Sequence, residues 1–274
     1  MMFKEDVMEY ALYAALAFVC EYVDSTIGMG YGTTLTPLLL IMGFQPLQIV
    51  PAVLFSEFIT GILAGVCHHR VGNVSFDFRR DEKIRRHRLQ ALGYIPRSFD
   101  AKVTYLLIVL GIIGALGAVF FSINVPKEVV KAYIGAMIFS IGLYIIVNIK
   151  RNKVFRWRKF VLIAALSGFN KGISGGGYGP LVTGGQVISG RSAKNSIGST
   201  SLAEGLVCLA GFITYLILKR GIYWHLALPL VLGAALSTPL AAITVKKMPE
   251  TKLKLMIGVI TLFLGAWTLK TVFL

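Results

Sequence analysis

Apolar residues fall in eight blocks, roughly 10–42, 46–67, 103–123, 128–149, 160–190, 194–218, 224–245 and 252–273, parted by short polar or charged stretches. Lipid offers the backbone no hydrogen bonds, so each block is predicted to be helical wherever it faces hydrocarbon. Six blocks fit one crossing of a core about 30 Å thick at about 1.5 Å per residue. Blocks 10–42 and 160–190 do not, since a straight helix that long would run about 50 Å. Glycines interrupt both: Gly28-Met29-Gly30-Tyr31-Gly32 in the first, Gly175-Gly176-Gly177-Tyr178-Gly179-Pro180 in the second. Each glycine disfavours helix by about 1 kcal/mol relative to alanine, so such runs end a helix. Each over-long block is therefore a broken span or a re-entrant hairpin.

The two glycine runs belong to an internal repeat. A shift of 147 residues superimposes Gly28 on Gly175, Gly30 on Gly177, Tyr31 on Tyr178 and Gly32 on Gly179. It also pairs Thr36 with Thr183, Ile41 with Ile188, Gly43 with Gly190 and Glu57 with Glu204. The predicted fold is all-α: a polytopic membrane protein of two pseudo-symmetric halves, 1–147 and 148–274. Each half has four membrane segments, and the first of each carries the Gly-rich break.

Composition sharpens this picture. The chain has 274 residues, 55% of them hydrophobic and only 15% charged, against about 25% charged in a soluble domain. A soluble enzyme fold is excluded on that balance. The net charge of +15 resembles that of a nucleic-acid binder, but its distribution argues otherwise. Residues 70–102 hold nine Lys/Arg and residues 150–159 hold six, which marks both loops as cytoplasmic in a multi-pass protein of the plasma or inner membrane. A polybasic lipid site is the lesser reading of these loops. If the broken blocks cross fully, the halves are parallel and Lys246, Lys247, Lys252 and Lys254 lie outside. If they are hairpins, the halves are inverted and Lys219 and Arg220 lie outside. Inverted repeats commonly place broken helices around a midplane site, which favours the second scheme.

Candidate chemistry is sparse. Cys20, Cys67 and Cys208 show no CxxC spacing and read as small apolar side chains. His68 and His69 end a span, His87 lies in a basic loop and His225 opens a span, so no metal or catalytic cluster is expected. Gly185-x-x-x-x-Gly190-Arg191-Ser192 looks like a P-loop with Arg for Lys, but no strand precedes it. Gly61-x-x-x-Gly65 is a helix-packing signal. The acidic start, with Glu5, Asp6 and Glu9, is unlike a secretory signal. Neither an enzyme, a cofactor nor a metal is expected.

The breaks carry the strongest signal. Non-helical backbone at membrane depth must line a cavity or pack in protein, and helix ends there offer N–H groups and positive partial charge to an anion. Ser25, Thr26, Thr33 and Thr34 add hydroxyls beside the first break, and Ser174 and Tyr178 beside the second. Asn170 precedes the second break, and Ser199, Thr200 and Ser201 lie in the next span. Tight helix packing is the bland alternative for the glycines. Asp24, Glu57, Lys171 and Glu204 sit inside apolar blocks, where each charge costs about 2.5–3.5 kcal/mol. Asp24 and Lys171, equivalent in the repeat, pair with each other, or Lys171 meets the anion while Asp24 tunes it. Glu57 and Glu204 couple transport to protons, or cap the N–H groups of a broken helix.

These residues resemble the sulfite exporter TauE/SafE family over nearly the whole chain. Ser174-Gly175-Gly176-Gly177-Tyr178-Gly179-Pro180 matches the family pattern. Ile27-Gly28-Met29-Gly30-Tyr31-Gly32, followed by Pro37, is a looser copy with Met29 where a glycine is expected. The resemblance implies transport of small sulfur-containing anions such as sulfite, sulfonates and sulfoacetate. The expected function is export of such an anion by alternating access, held at the paired breaks by Gly28–Thr34, Asn170, Lys171, Ser174–Gly179, Ser199 and Thr200. A selective anion channel on the same scaffold is the alternative. The expected partners are the anion, the lipid bilayer and, as an option, a second copy of the chain; nucleic acid is not among them.

Overall fold

Ten helices carry the apolar blocks in the computed structural model, which describes residues 2–77, 96–122, 127–149, 154–174, 178–219 and 221–273. The first block becomes α1 (Met2–Ile27) and α2 (Tyr31–Ile41), followed by α3 (Pro46–Arg70), α4 (Phe99–Ser122) and α5 (Lys127–Val147). The fifth block becomes α6 (Trp157–Ser174) and α7 (Tyr178–Ile188), followed by α8 (Ala193–Lys219), α9 (Trp224–Lys247) and α10 (Glu250–Phe273). No strand occurs among the described residues. There, five helices (α3, α4, α8, α9 and α10) are long and apolar enough to cross a membrane. Leu228, Leu232, Leu236 and Leu240 form an exposed stripe along α9 at helical spacing, a face suited to lipid rather than water.

Local chemistry sets the helix ends. Gln45 and Gln48 form a reciprocal capping box at the start of α3, with Pro46 in its first turn, where a missing N–H costs nothing. Between α1 and α2 the backbone turns through Gly28 at φ 79° and Gly30 at φ 129°, values that strongly favour glycine.

Both over-long blocks fold back on themselves. Tyr13 of α1 meets Phe44, just beyond α2, edge to face at 5.3 Å. The N–H of Arg156, just before α6, bonds the carbonyl of Ser189, just after α7, at 3.1 Å. The two hairpins open at opposite ends of the bundle. The first opens beside the start of α9, where Tyr10 bonds His225 at 2.6 Å. The second opens at the end that holds Arg156, Arg158, Arg191, Lys194, Lys246, Lys247, Lys252 and Lys254, the basic end.

The first five helices interlock with the last five. α1 packs on α9, α4 on α6, α5 on α10, and α3 on both α8 and α9. At the centre α3 crosses α8 with backbones in contact: a Cβ on Gly61 would lie 2.7 Å from the Cα of Gly205. Gly65 packs likewise against Leu202, so the Gly61-x-x-x-Gly65 spacing marks a packing face. His68 departs from the boundary role expected of it. It is fully buried, with Nε2 3.0 Å from the carbonyl of Ser25 and Nδ1 3.0 Å from the Asn73 amide.

Candidate functional site

A cleft of about 540 Å³ enters the bundle between the two hairpins, walled by α5 and α10. Its lining includes Asp24, Gly30, Tyr31, Gly32, Thr33, Glu57, Lys171, Tyr178, Gly179 and Glu204. Thr36, Pro37 and Trp267, none of them expected as a site residue, complete much of the wall. Glu57 and Glu204 lie near the midpoints of α3 and α8, so the floor of the cleft is at the middle of the bundle.

The acids and the lysine form a connected set. Lys171 Nζ donates to Glu204 Oε1 at 3.1 Å and to Cys208 Sγ at 3.3 Å. Cys208 Sγ donates to Glu57 Oε2 at 3.1 Å, and Glu57 Oε1 accepts the N–H of Gly32 at 3.1 Å. Asp24 Oδ1 accepts the N–H of Tyr31 at 3.2 Å. Lys171 thus pairs with Glu204 rather than with Asp24. The first N–H groups of α2, expected to face a ligand, carry the carboxylates of Asp24 and Glu57, an arrangement that the helix dipole favours. Glu204 Oε2 is buried and without a partner. Lys171 lies 5.1 Å from the centre of the Tyr178 ring, a cation–π contact.

Two roles run counter to sequence expectation. Cys208 is not merely an apolar filler but bridges Lys171 and Glu57. Glu21, which the sequence reading passed over, is buried behind the cleft, where Ser25 donates to it at 2.5 Å and Thr60 at 3.2 Å. Its position three residues before Asp24, inside an apolar block, was the available signal.

The remaining expected residues lie off the cleft. Gly28 and Met29 are buried toward the basic end, against Thr183, Gly179 and Thr261. Thr34 faces outward, Thr26 and Asn170 are buried, and Ser199, Thr200 and Ser201 are buried in α8. Gly175, Gly176, Gly177 and the side chain of Ser174 lie outside the described residues, as do residues 78–95 and 150–153 of the basic loops. Among the described residues no cluster of His, Cys, Asp and Glu is placed to hold a metal ion. The Gly190-Arg191-Ser192 stretch forms the turn between α7 and α8.

Electrostatically the cleft sets one ammonium against the carboxylates of Asp24, Glu57 and Glu204. Charges this far from water need partners, and here the bonds from Gly32, Tyr31, Lys171 and Cys208 supply them. Of the three N–H donors of Lys171, Glu204 and Cys208 take two, and Glu204 competes with any anion for the ammonium.

Comparison with known proteins adds an independent line. The model of the sulfite exporter TauE/SafE family matches residues 13–80 and 89–268. The "Probable membrane transporter protein YtnM" of Bacillus subtilis (strain 168) is 25% identical over 272 residues, covering 94% of this chain and 82% of its own. No solved structure matches the chain.

Proposed function

The chain belongs to the sulfite exporter TauE/SafE family and is a multi-pass membrane transporter; from that premise we propose that it carries a small sulfur-containing anion of the sulfite, sulfonate or sulfoacetate class by alternating access. The observation that carries the reading is Lys171, with its side chain only 10% exposed, set in the cleft wall at the middle of the bundle. Tyr178 and Gly179, at the start of α7, join it there and provide a helix N-terminus suited to an oxyanion.

The basic end is cytoplasmic in this proposal, following the clustering of Lys and Arg there. The cleft lies toward the opposite end, beside Thr33, Thr36 and Trp267, so this conformation faces outward. A negative interior favours anion efflux by about 2.3 kcal/mol per charge per 100 mV, so export is the expected direction.

Two inverted halves, 1–147 and 148–274, would supply the two access states. The packing supports them: exchanging α1–α5 with α6–α10 in order turns the α1–α9 contact into α6–α4 and α3–α9 into α8–α4, while α3–α8 and α5–α10 map onto themselves. All of these contacts occur.

The test is titration of purified protein with sulfite, thiosulfate, sulfate, sulfoacetate and taurine, beside the Lys171→Ala variant. Saturable binding of at least one sulfur anion, weakened in the variant, is expected. Binding that ignores Lys171→Ala in folded protein would move the site elsewhere.

A further inference from the structure

Arg191 lies outside the cleft. It occupies the short turn between α7 and α8 at the basic end, yet its side chain is only 2% exposed. Its guanidinium donates to Asp100 Oδ1 and to Gln186 Oε1, and reaches Ser199 Oγ at 3.1 Å. Asp100 is held from two further sides, by the N–H of Ser75 and by Asn195, each at 2.8 Å. Burying this much polarity is costly unless every group is paired.

The network continues inward. Gln186 Nε2 donates to Thr200 Oγ1 at 2.9 Å, Thr183 lies 2.9 Å from the same hydroxyl, and Thr183 Oγ1 donates to the carbonyl of Gly28 at 2.8 Å. Thr183, Gln186, Ser199 and Thr200 are at most 1% exposed. A polar column thus runs from the basic end to the first break through a region closed to water. At its outer end Arg191 and Ser192 line a hollow of about 350 Å³, and Asp100 and Ser192 line a second of about 430 Å³.

The repeat gives this column a meaning. Under the 147-residue shift, Thr183, Ile197, Thr200 and Glu204 are the counterparts of Thr36, Val50, Val53 and Glu57. Those four line the open cleft. Thr183, Ile197 and Thr200 are fully buried, and Ile197 packs in one apolar cluster with Met29, Ile145, Leu253 and Ile257.

We infer that this column is the closed twin of the cleft, that the Arg191–Asp100 pair latches it shut, and that on opening Arg191 receives the transported anion from the basic end, with Ser199 and Thr200 supplying hydroxyls. The inference rests on the transporter reading above. A guanidinium fork already matched to a carboxylate suits an oxyanion in its place. The latch therefore opens by exchange of one anion for another at Arg191, with Asp100 left to the N–H of Ser75 and the amide of Asn195.

The experiment has two arms, each with melting temperature and size-exclusion controls. In the first, Thr200→Cys and Thr36→Cys are labelled with an impermeant maleimide from the cytoplasmic and outer faces respectively, against a parent lacking the introduced cysteine. Adding Asp100→Asn is expected to speed labelling at Thr200→Cys by about fivefold or more and to slow it at Thr36→Cys, as a shift between two states requires. Unchanged labelling at both sites in folded protein overturns the latch. In the second, Arg191→Lys keeps the charge but loses the fork, and should cut transport roughly tenfold or more. Its loss of sulfite binding should be smaller than that of Lys171→Ala, because the outward-facing cleft keeps Lys171. Parental transport in Arg191→Lys, or a binding loss as large as that of Lys171→Ala, overturns Arg191 as a separate station. A reciprocal labelling shift in a protein that binds no sulfur anion would uphold the latch and sink the substrate reading instead.

Discussion

Glu57 Oε1 accepts the backbone N–H of Gly32 at 3.1 Å, across the gap between the middle of α3 and the first turn of α2. Its repeat counterpart Glu204 bonds a side chain instead, Lys171 Nζ at 3.1 Å. Two acids that coincide under a 147-residue shift of the sequence therefore have unequal work: one caps a helix, the other neutralises a buried cation. Under the proposed function, the anion therefore belongs with the second hairpin, which carries Lys171.

Removing the cation tests that division. Lys171→Ala should weaken anion binding by about 1.5–3 kcal/mol, the range for a hydrogen bond to a charged group. It also strands Glu204, so melting temperature should fall. The double variant Lys171→Ala/Glu204→Gln should recover much of the stability but none of the affinity. Recovery of affinity in the double variant, measured by calorimetry, would show that Lys171 serves only to neutralise Glu204.

The two acids should differ in their response to pH. Protonating Glu204 frees Lys171 for the ligand, so parental binding should tighten as pH falls. Glu204→Gln should remove that dependence, whereas Glu57→Gln, whose amide oxygen can still cap Gly32, should keep it. Asp24, Cys208, Tyr178 and Lys171 also face this space, so each variant is measured over the full pH range. Loss of the dependence in Glu57→Gln alone would reverse the assignment.

Gly30 and Gly28 predict a graded loss of stability. At Gly30 the nearest atom to an added Cβ is 3.8 Å away, so Gly30→Ala meets only backbone strain, about 1–3 kcal/mol. An added Cβ at Gly28 also runs into Thr183, so Gly28→Ala should cost more. Thermal unfolding in detergent checks the order, and equal losses would mean that the Thr183 contact yields freely.

Sidedness is checked with single cysteines at exposed positions. Ser75→Cys at the basic end should react with an impermeant maleimide only from the cytoplasm, and Gly221→Cys at the opposite end only from outside. Both residues reacting from one side would contradict the hairpin geometry.

The glycines that end α1 and the acids Glu57 and Glu204 of the cleft were legible in the sequence, because short spacing and burial in apolar blocks are local properties. Arg191 was not. In the chain it follows Gly190 in a turn, and its burial depends on Asp100, 91 residues away. Cys208 likewise reads as a small apolar residue until Glu57, 151 residues away, is placed beside it. His68 looked like a boundary residue because its acceptor is a carbonyl on α1. Polar roles set by a distant helix leave no mark on local composition.

The interlocked helices have a consequence for biosynthesis. α1 docks on α9 and α5 on α10, so the first hairpin leaves the ribosome long before its partners exist. Until α7 arrives, the Gly28 carbonyl lacks the Thr183 hydroxyl that satisfies it, in surroundings that offer no water. Residues 1–147 synthesised alone should therefore be recognised by membrane quality-control proteases. Supplying residues 148–274 as a separate chain should protect them, as in the assembly of two subunits.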